Sequence, residues 1–316
     1  HTTLLGVLFL QLLVTLVMAL NISALLTLFS FVLYIIFTTV TIVNYDIFLK
    51  RLTVDASTGR VRGMFWTFVN LGFVFSPFLA GSLVEQYGYG AAYIASAAAL
   101  VPTMFIIWLA YRGQVDTIRY RKHESARRTL SRIWRNHNLR GIFIIAVLLY
   151  LFYSWMVVYT PLFLLEAGYD WKEIGAMFTV MLIPFVVVEY PAGWLADRFF
   201  GETEMLTIGF VLMFLSVVSL LVAQQYWVLM LVLFFSRVGA SLVEIMRESY
   251  FYKQVSVSDI DMIDMFRNTG SFGHLLGPLI ASTLLWRGFD LSSIFVVLSV
   301  VVVMGTGIPL MMKDTK

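Results

Sequence analysis

The sequence predicts an all-α polytopic membrane protein built as two pseudo-symmetric helical bundles, and three observations carry that prediction. The composition is too apolar for water, apolar runs of membrane-spanning length recur along the whole chain, and the runs repeat at a fixed offset. Hydrophobic residues make up 60% of the chain and charged residues 13%, with a mean hydropathy of +0.86. A soluble domain carries roughly 25% charged residues, because its surface must be wetted. Lipid as solvent removes that constraint.

The apolar runs lie near 3–20, 22–45, 64–84, 91–111, 141–164, 174–195, 205–223, 227–247, 263–285 and 291–312. Each is long enough as a helix to cross a hydrocarbon layer of about 30 Å. Pro102, Pro184 and Pro278 fall inside runs, where membrane helices tolerate proline. The chain starts on His1 and has no basic n-region or cleavage site, so the reading is a shortened start rather than a signal peptide. With no cysteine, disulfides and thiolate chemistry are excluded.

Basic residues orient the bundle. Lys50, Arg51, Arg60 and Arg62 follow the second run, and nine basic residues lie within 112–140. Arg198, Arg247, Lys253, Arg267, Lys313 and Lys316 fall on the same side of the zigzag, against Lys172 and Arg287 on the other. The excess places both visible ends in the cytoplasm. The stretch 112–140 also divides the chain into an N-terminal bundle (1–111), a basic cytoplasmic linker and a C-terminal six-helix bundle (141–316). Val115, Ile118, Leu130, Ile133 and Trp134 suit a surface-lying helix in that linker. A basic stretch beside a membrane reads as an attraction to anionic lipid rather than to nucleic acid.

The repeat stands at an offset of 201 residues. Met64, Phe65, Gly72, Pro77, Ala80 and Leu83 coincide with Met265, Phe266, Gly273, Pro278, Ala281 and Leu284. Thr2, Leu5, Phe9, Val17 and Leu20 pair with Thr203, Leu206, Phe210, Val218 and Leu221. The second copy starts with the run at 141–164, so the first would start about sixty residues before His1. That leaves room for two further spans, so ten visible spans imply a parent of twelve in two halves.

The residues at the end of the sixth run, Gly193-Trp194-Leu195-Ala196-Asp197-Arg198, resemble the Gly-x-Leu-Ala-Asp-Arg loop signature of the major facilitator superfamily. Parallel repeats of this kind are one plan of that superfamily. In it the loop is cytoplasmic, as the charges place it here, and helps lock one alternating-access state. Gly193 would permit close helix approach, and Asp197 would pair with the positive end of a neighbouring helix. The chain departs from the signature afterwards, with Phe199-Phe200-Gly201-Glu202 where basic residues are usual. The pattern Gly72-x-x-x-Ser76-Pro77-x-x-Ala80-Gly81 loosely resembles a motif of family exporters, and 273–282 carries a near copy.

Ionisable residues inside membrane helices are costly and mark function by default. Arg237, Ser241, Glu244 and Glu248 follow helical spacing in the eighth run, and His274 sits in the ninth. Glu189, in the sixth, is the proton-coupling candidate, because low dielectric favours a neutral carboxyl. Tyr34, Thr38 and Thr41 belong to a polar stripe on the second run, with Asn70 in the third and Tyr150 and Tyr153 in the fifth. The resemblance implies that the second, fifth and eighth visible helices line a cavity. Each residue has a plainer reading: an ion pair for Arg237 with Glu244 or Glu189, an interhelical hydrogen bond for His274, helix packing for the Thr/Ser/Tyr stripe.

The expected function is secondary active transport of a small solute across a bacterial-type inner membrane. A monomer would alternate access, coupled to protons, with a lean toward efflux. An uptake permease for a sugar or organic anion and a non-transporting receptor or scaffold stand as alternatives. No HExxH, paired aspartates or phosphate-binding loop occurs, so an intramembrane hydrolase, a metal, a cofactor and direct ATP use are not expected. No filter-like segment suggests a channel.

Overall fold

A computed structural model describes residues 2–52, 58–111, 125–255 and 259–313, with backbone alone at 2–3, 43, 46–52, 58–67, 70, 110–111, 189–190, 194, 197 and 260. Among the described residues every regular element is a helix: α1 (Thr2–Leu20), α2 (Ala24–Leu52), α3 (Thr58–Tyr87), α4 (Tyr89–Tyr111), α5 (Ala126–Arg135), α6 (His137–Glu166), α7 (Trp171–Leu182), α8 (Pro184–Val187), α9 (Glu189–Arg198), α10 (Glu202–Val222), α11 (Tyr226–Gln254), α12 (Ile260–Trp286) and α13 (Leu291–Met311).

All ten expected spans fall on helix, with one difference. The expected span 174–195 is three segments, α7, α8 and α9. Pro184 has no N–H to offer Val180, so the Ile183 N–H turns to the Val180 carbonyl at 3.2 Å and the Val188 N–H to Pro184 at 2.8 Å. By length and composition, six helices among the described residues are apolar enough to cross a membrane: those in α2, α4, α6, α10, α11 and α13, with Leu4–Leu20 a shorter one. α12 is not among them: Asp261, Asp264 and Arg267 load its start, and beyond Arg267 its Asn268, His274, Pro278 and several Gly, Ser and Thr hold the hydropathy down.

The repeat extends beyond the residues that coincide. α1 to α4 recur as α10 to α13 at the same 201-residue displacement, to within two residues at every boundary; Ala24–Leu52 and Tyr226–Gln254 are one such pair.

The chain divides into a unit of His1–Tyr120 and a unit of Arg121–Lys316. In the first, α1 packs on α2 and α4, and α3 on α4, around Leu4, Leu8 and Ile107. In the second, α10 lies along α11 and α13, α6 along α12 and α13, and α11 against α7. Their core runs from Ile142 through Phe152, Trp155, Phe210 and Leu233 to Phe295. Gly209 and Gly239 let α10 and α11 meet backbone to backbone: a Cβ at Gly239 would stand 2.6 Å from the Gly209 carbonyl oxygen and 2.9 Å from the Met213 nitrogen. Small residues allow this approach where lipid supplies no hydrophobic drive between helices.

α5 forms in the basic stretch, with Ile133 buried against the second unit's core and Trp134 left 55% exposed. Asn136 ends α5 and caps α6, its side-chain oxygen accepting from the Asn138 and Leu139 N–H groups at 3.0 and 3.2 Å. Arg132 closes on Asp259, just before α12, with nitrogens 2.5 and 3.4 Å from the two carboxylate oxygens.

Candidate functional site

The second unit concentrates its buried charge on one face of α11. Arg237 and Glu244 are two turns apart, about 10 Å along the axis, and Arg247 is the next residue on that face. Arg237 is 1% exposed and Arg247 2%. Two mid-helix guanidinium groups out of water need partners, and α6 supplies them through Tyr150 and Tyr153, one turn apart.

The two arginines are served differently. Arg247 donates to the Tyr150 hydroxyl at 2.9 Å and lies 3.7 Å from Glu244 and 3.4 Å from Glu248. Its guanidinium also stands over the Tyr150 ring at 4.6 Å. Arg237 stands over the rings of Phe152 and Tyr153, at 5.6 and 5.2 Å. Among the described residues its Nε and Nη2 are buried without a hydrogen-bond partner. Aromatic faces attract the cation but accept no conventional N–H bond from it here.

Tyr153 joins the two arginines' surroundings. Its hydroxyl donates to Glu244 at 2.6 Å, and its ring lies under Arg237. Phe185 of α8 meets the same ring edge-on at 5.9 Å. The centre is therefore two guanidinium groups, the Glu244 and Glu248 carboxylates, and the rings of Tyr150, Phe152, Tyr153 and Phe185.

α12 closes this face through Gly270 and Gly273. A Cβ at Gly273 would stand 2.4 Å from the Tyr150 Cβ, 2.8 Å from the Val147 oxygen and 2.9 Å from the Leu151 nitrogen. Glycine there lets the two helices touch and sets the depth of Tyr150. His274 is next along, its ring 5.5 Å from that of Tyr150, and exposed from the unit.

Tyr150, Tyr153, Arg237 and Glu244 are thus brought together, with His274 at the edge. Glu244 is engaged by Tyr153 and Arg247, so the expected Arg237–Glu244 ion pair is not the contact formed. Arg247, first grouped with the loop charges, is buried beside Glu244. α11 runs on to Gln254, beyond the expected end of that span at 247, and Arg247 lies one turn after Glu244 on its face. Lys253, also read as a loop charge, pairs with buried Glu202, which accepts from Ser249 as well at 3.1 Å.

In the first unit, the Tyr34, Thr38 and Thr41 stripe is part of a helix–helix contact. Gln11 of α1, 5% exposed, donates to Thr38 at 3.0 Å and accepts from Thr41 at 3.4 Å. Tyr34 is half-buried on the same helix. Gln11 passed unnoticed because a neutral amide in an apolar run raises no charge signal. The side chains of Asn70, Glu189 and Asp197 lie outside the described residues. At Gly193 no described atom stands within 4 Å of a Cβ position. Arg198 is exposed, its guanidinium 5.7 Å from the Phe199 ring.

Among the described residues, no group of three or more metal-ligating side chains occurs.

The family model described as Major Facilitator Superfamily matches residues 1–175 and 170–315. No curated protein sequence matches the chain. Its fold is similar to a bacterial homolog of the human lysosomal transporter Spinster, in an inward-facing and occupied conformation. That likeness has a TM-score of 0.73 at 12% identity, covering 97% of this chain and 81% of that one. A bacterial homologue of the iron transporter ferroportin, in an inward-facing state, is similar with a TM-score of 0.74 at 13% identity, covering 98% and 81%. At such identities the likeness is one of fold.

Proposed function

The chain belongs to the major facilitator superfamily, a family of membrane-embedded secondary transporters, and from that premise we propose that it moves a small solute by proton-coupled alternating access. The α6–α11 centre of the second unit is its binding and coupling site. Arg237 anchors the solute, Glu244 carries the proton, and Tyr153 links the two.

One observation carries this reading: a single tyrosine touches both ionisable groups. Its hydroxyl is 2.6 Å from Glu244 and its ring 5.2 Å from the Arg237 guanidinium. A proton arriving on Glu244 weakens the charge that the hydroxyl answers, and any resulting rotation of the ring is felt by Arg237. A ligand with different affinities for the two arrangements shifts their populations. Glu244 takes the proton role first expected of Glu189, because its hydrogen-bonded carboxylate faces both the hydroxyl and Arg247.

The basic side of the zigzag supports a cytoplasmic position for both visible ends in a bacterial inner membrane. The Gly72-to-Gly81 pattern supports efflux as the direction. A monomer contains this site whole.

Reconstituted vesicles enclosing a pH-sensitive dye test the coupling. A panel of organic anions, sugars and amphiphilic cations is added under an imposed proton gradient. The expected result is solute movement accompanied by proton movement, with Glu244→Gln abolishing the proton component. Solute movement indifferent to the gradient refutes the coupling. No movement of any solute by well-folded protein refutes transport in favour of a scaffold.

A further inference from the structure

A groove of about 240 Å³ opens between α5, α6 and α12, away from the buried charges of the candidate site. Leu130 and Trp134 form its α5 wall, Ile144 and Leu148 its α6 wall, and Phe272 its α12 wall, while Arg140 is the one charged residue lining it. From Arg140 to Leu148 the α6 wall descends about 12 Å. The hydroxyl of Thr269, also in the lining, is turned away to the Phe266 carbonyl at 2.5 Å. The groove is therefore apolar except at the end where α6 begins. Trp134 and Phe272 stand 55% and 57% exposed on its rim.

The charge at that end is one-sided. Between Ala126 and Arg140 the chain carries Arg127, Arg128, Arg132, Arg135 and Arg140 and no acid. Asp259 takes Arg132. Arg127 shares a helical face with Leu130 and Trp134, three and seven residues on, so it belongs to the α5 face that lines the groove. Neither Arg127 nor Arg140 has a carboxylate partner among the described residues. Asp261 and Asp264 at the start of α12 are the acids nearest in sequence to the lining residue Met265, and neither lines the groove.

An apolar furrow capped at one end by cations from α5 and the start of α6 matches a lipid with an acidic head. We propose that this groove binds an anionic phospholipid, with an acyl chain against α6 and α12 and the phosphate between Arg127 and Arg140. Arg140 meets the His137 ring nitrogen at 3.1 Å, a neutral contact that leaves its charge uncompensated. A soluble anion would leave the apolar walls bare, and a neutral lipid would leave the arginines without a counter-charge. The site lies wholly within the second unit and is independent of the transport reading.

The absence of cysteine makes the test direct. Leu130→Cys carries a single fluorophore in the groove, and Met304→Cys, at a 70% exposed position on α13, carries one elsewhere on the apolar surface. Both are reconstituted in vesicles containing phosphatidylglycerol or phosphatidylcholine with brominated acyl chains, which quench on contact. Each arginine near an anionic surface contributes roughly a fivefold gain in binding. The Leu130 label is therefore expected to be quenched at a mole fraction of the anionic lipid at least fivefold below that of the neutral one. The Met304 label is expected to show no preference. Arg127→Gln with Arg140→Gln, in a protein whose thermal unfolding is unchanged, is expected to remove the preference at Leu130. Equal quenching by both lipids at Leu130, an equal preference at Met304, or a preference that survives the double substitution overturns the proposal.

Discussion

Replacing Arg237 by methionine is expected to make the protein more stable and less active. The guanidinium is 1% exposed and leaves Nε and Nη2 without acceptors. Each unmade bond on a buried donor costs about 1–3 kcal/mol. Against that stand two ring contacts at 5.6 and 5.2 Å, worth about 0.5–2 kcal/mol each. Methionine reaches about as far as the arginine Nε, keeps the packing of the apolar stem beside Phe152 and Tyr153, and carries no charge to desolvate. The balance favours it by about 1–3 kcal/mol, within the range for replacing buried ionic groups by apolar ones. For a bundle of this size the gain is about 2–4 °C of apparent Tm per kcal/mol. Thermal unfolding in detergent, followed by tryptophan fluorescence, measures it. Transport or solute-dependent fluorescence is expected to fall more than tenfold, since losing one partner of a buried charge contact costs about 2–5 kcal/mol. A lower Tm for Arg237→Met would show that the arginine is a structural tie, and unchanged transport would show that it anchors nothing; either refutes the reasoning.

Arg247 is the opposite case: Arg247→Met strips Tyr150, Glu244 and Glu248 of their shared cation. It is expected to destabilise by about 3–5 kcal/mol, measured by the same unfolding assay. Gly273→Ala drives a methyl into the Val147–Leu151 backbone and is expected to cost about 1–3 kcal/mol. Gly193→Ala meets no described atom within 4 Å and is expected to leave the apparent Tm unchanged. Asp290 caps α13, its carboxylate held below the ordinary aspartate value by the Ser293 hydroxyl and by the Ser293 N–H at 2.9 Å. Because the folded form favours the ionised group, the cap's contribution is present above the ordinary aspartate value and fades as pH falls through the lowered one. The apparent Tm of Asp290→Ala is therefore expected to lie below that of the parent near neutral pH, and the gap to close in strong acid.

Much of the candidate site was legible from α11. Arg237 and Glu244 fall at helical spacing within an apolar run, and charge in hydrocarbon is rare enough to notice. Arg247 was missed because hydropathy ends a span where charges begin, whereas the helix continues. The polar stripe on α2 shows the converse: Thr38 and Thr41 looked like a cavity wall, yet Gln11 of α1 takes both. Which neighbour a polar face meets is a property of packing, and periodicity along one helix carries no information about it.

The sequence by itself determined that the chain lives in lipid, that it is helical throughout its apolar runs, and that one helical unit recurs 201 residues on. Those are consequences of solvent and of backbone hydrogen bonding, which act on every residue alike. Only the tertiary structure decided that a tyrosine of α6 joins Glu244 to Arg237, that one buried arginine meets carboxylates and a hydroxyl while the other meets aromatic rings, and that α5 leaves a groove against α6 and α12. The repeat could not foretell these, because α2 carries Ile36 and Val43 where α11 has Arg237 and Glu244. The two copies share a fold because lipid imposes the same demands on both, while the charged centre depends on contacts between helices far apart in the chain.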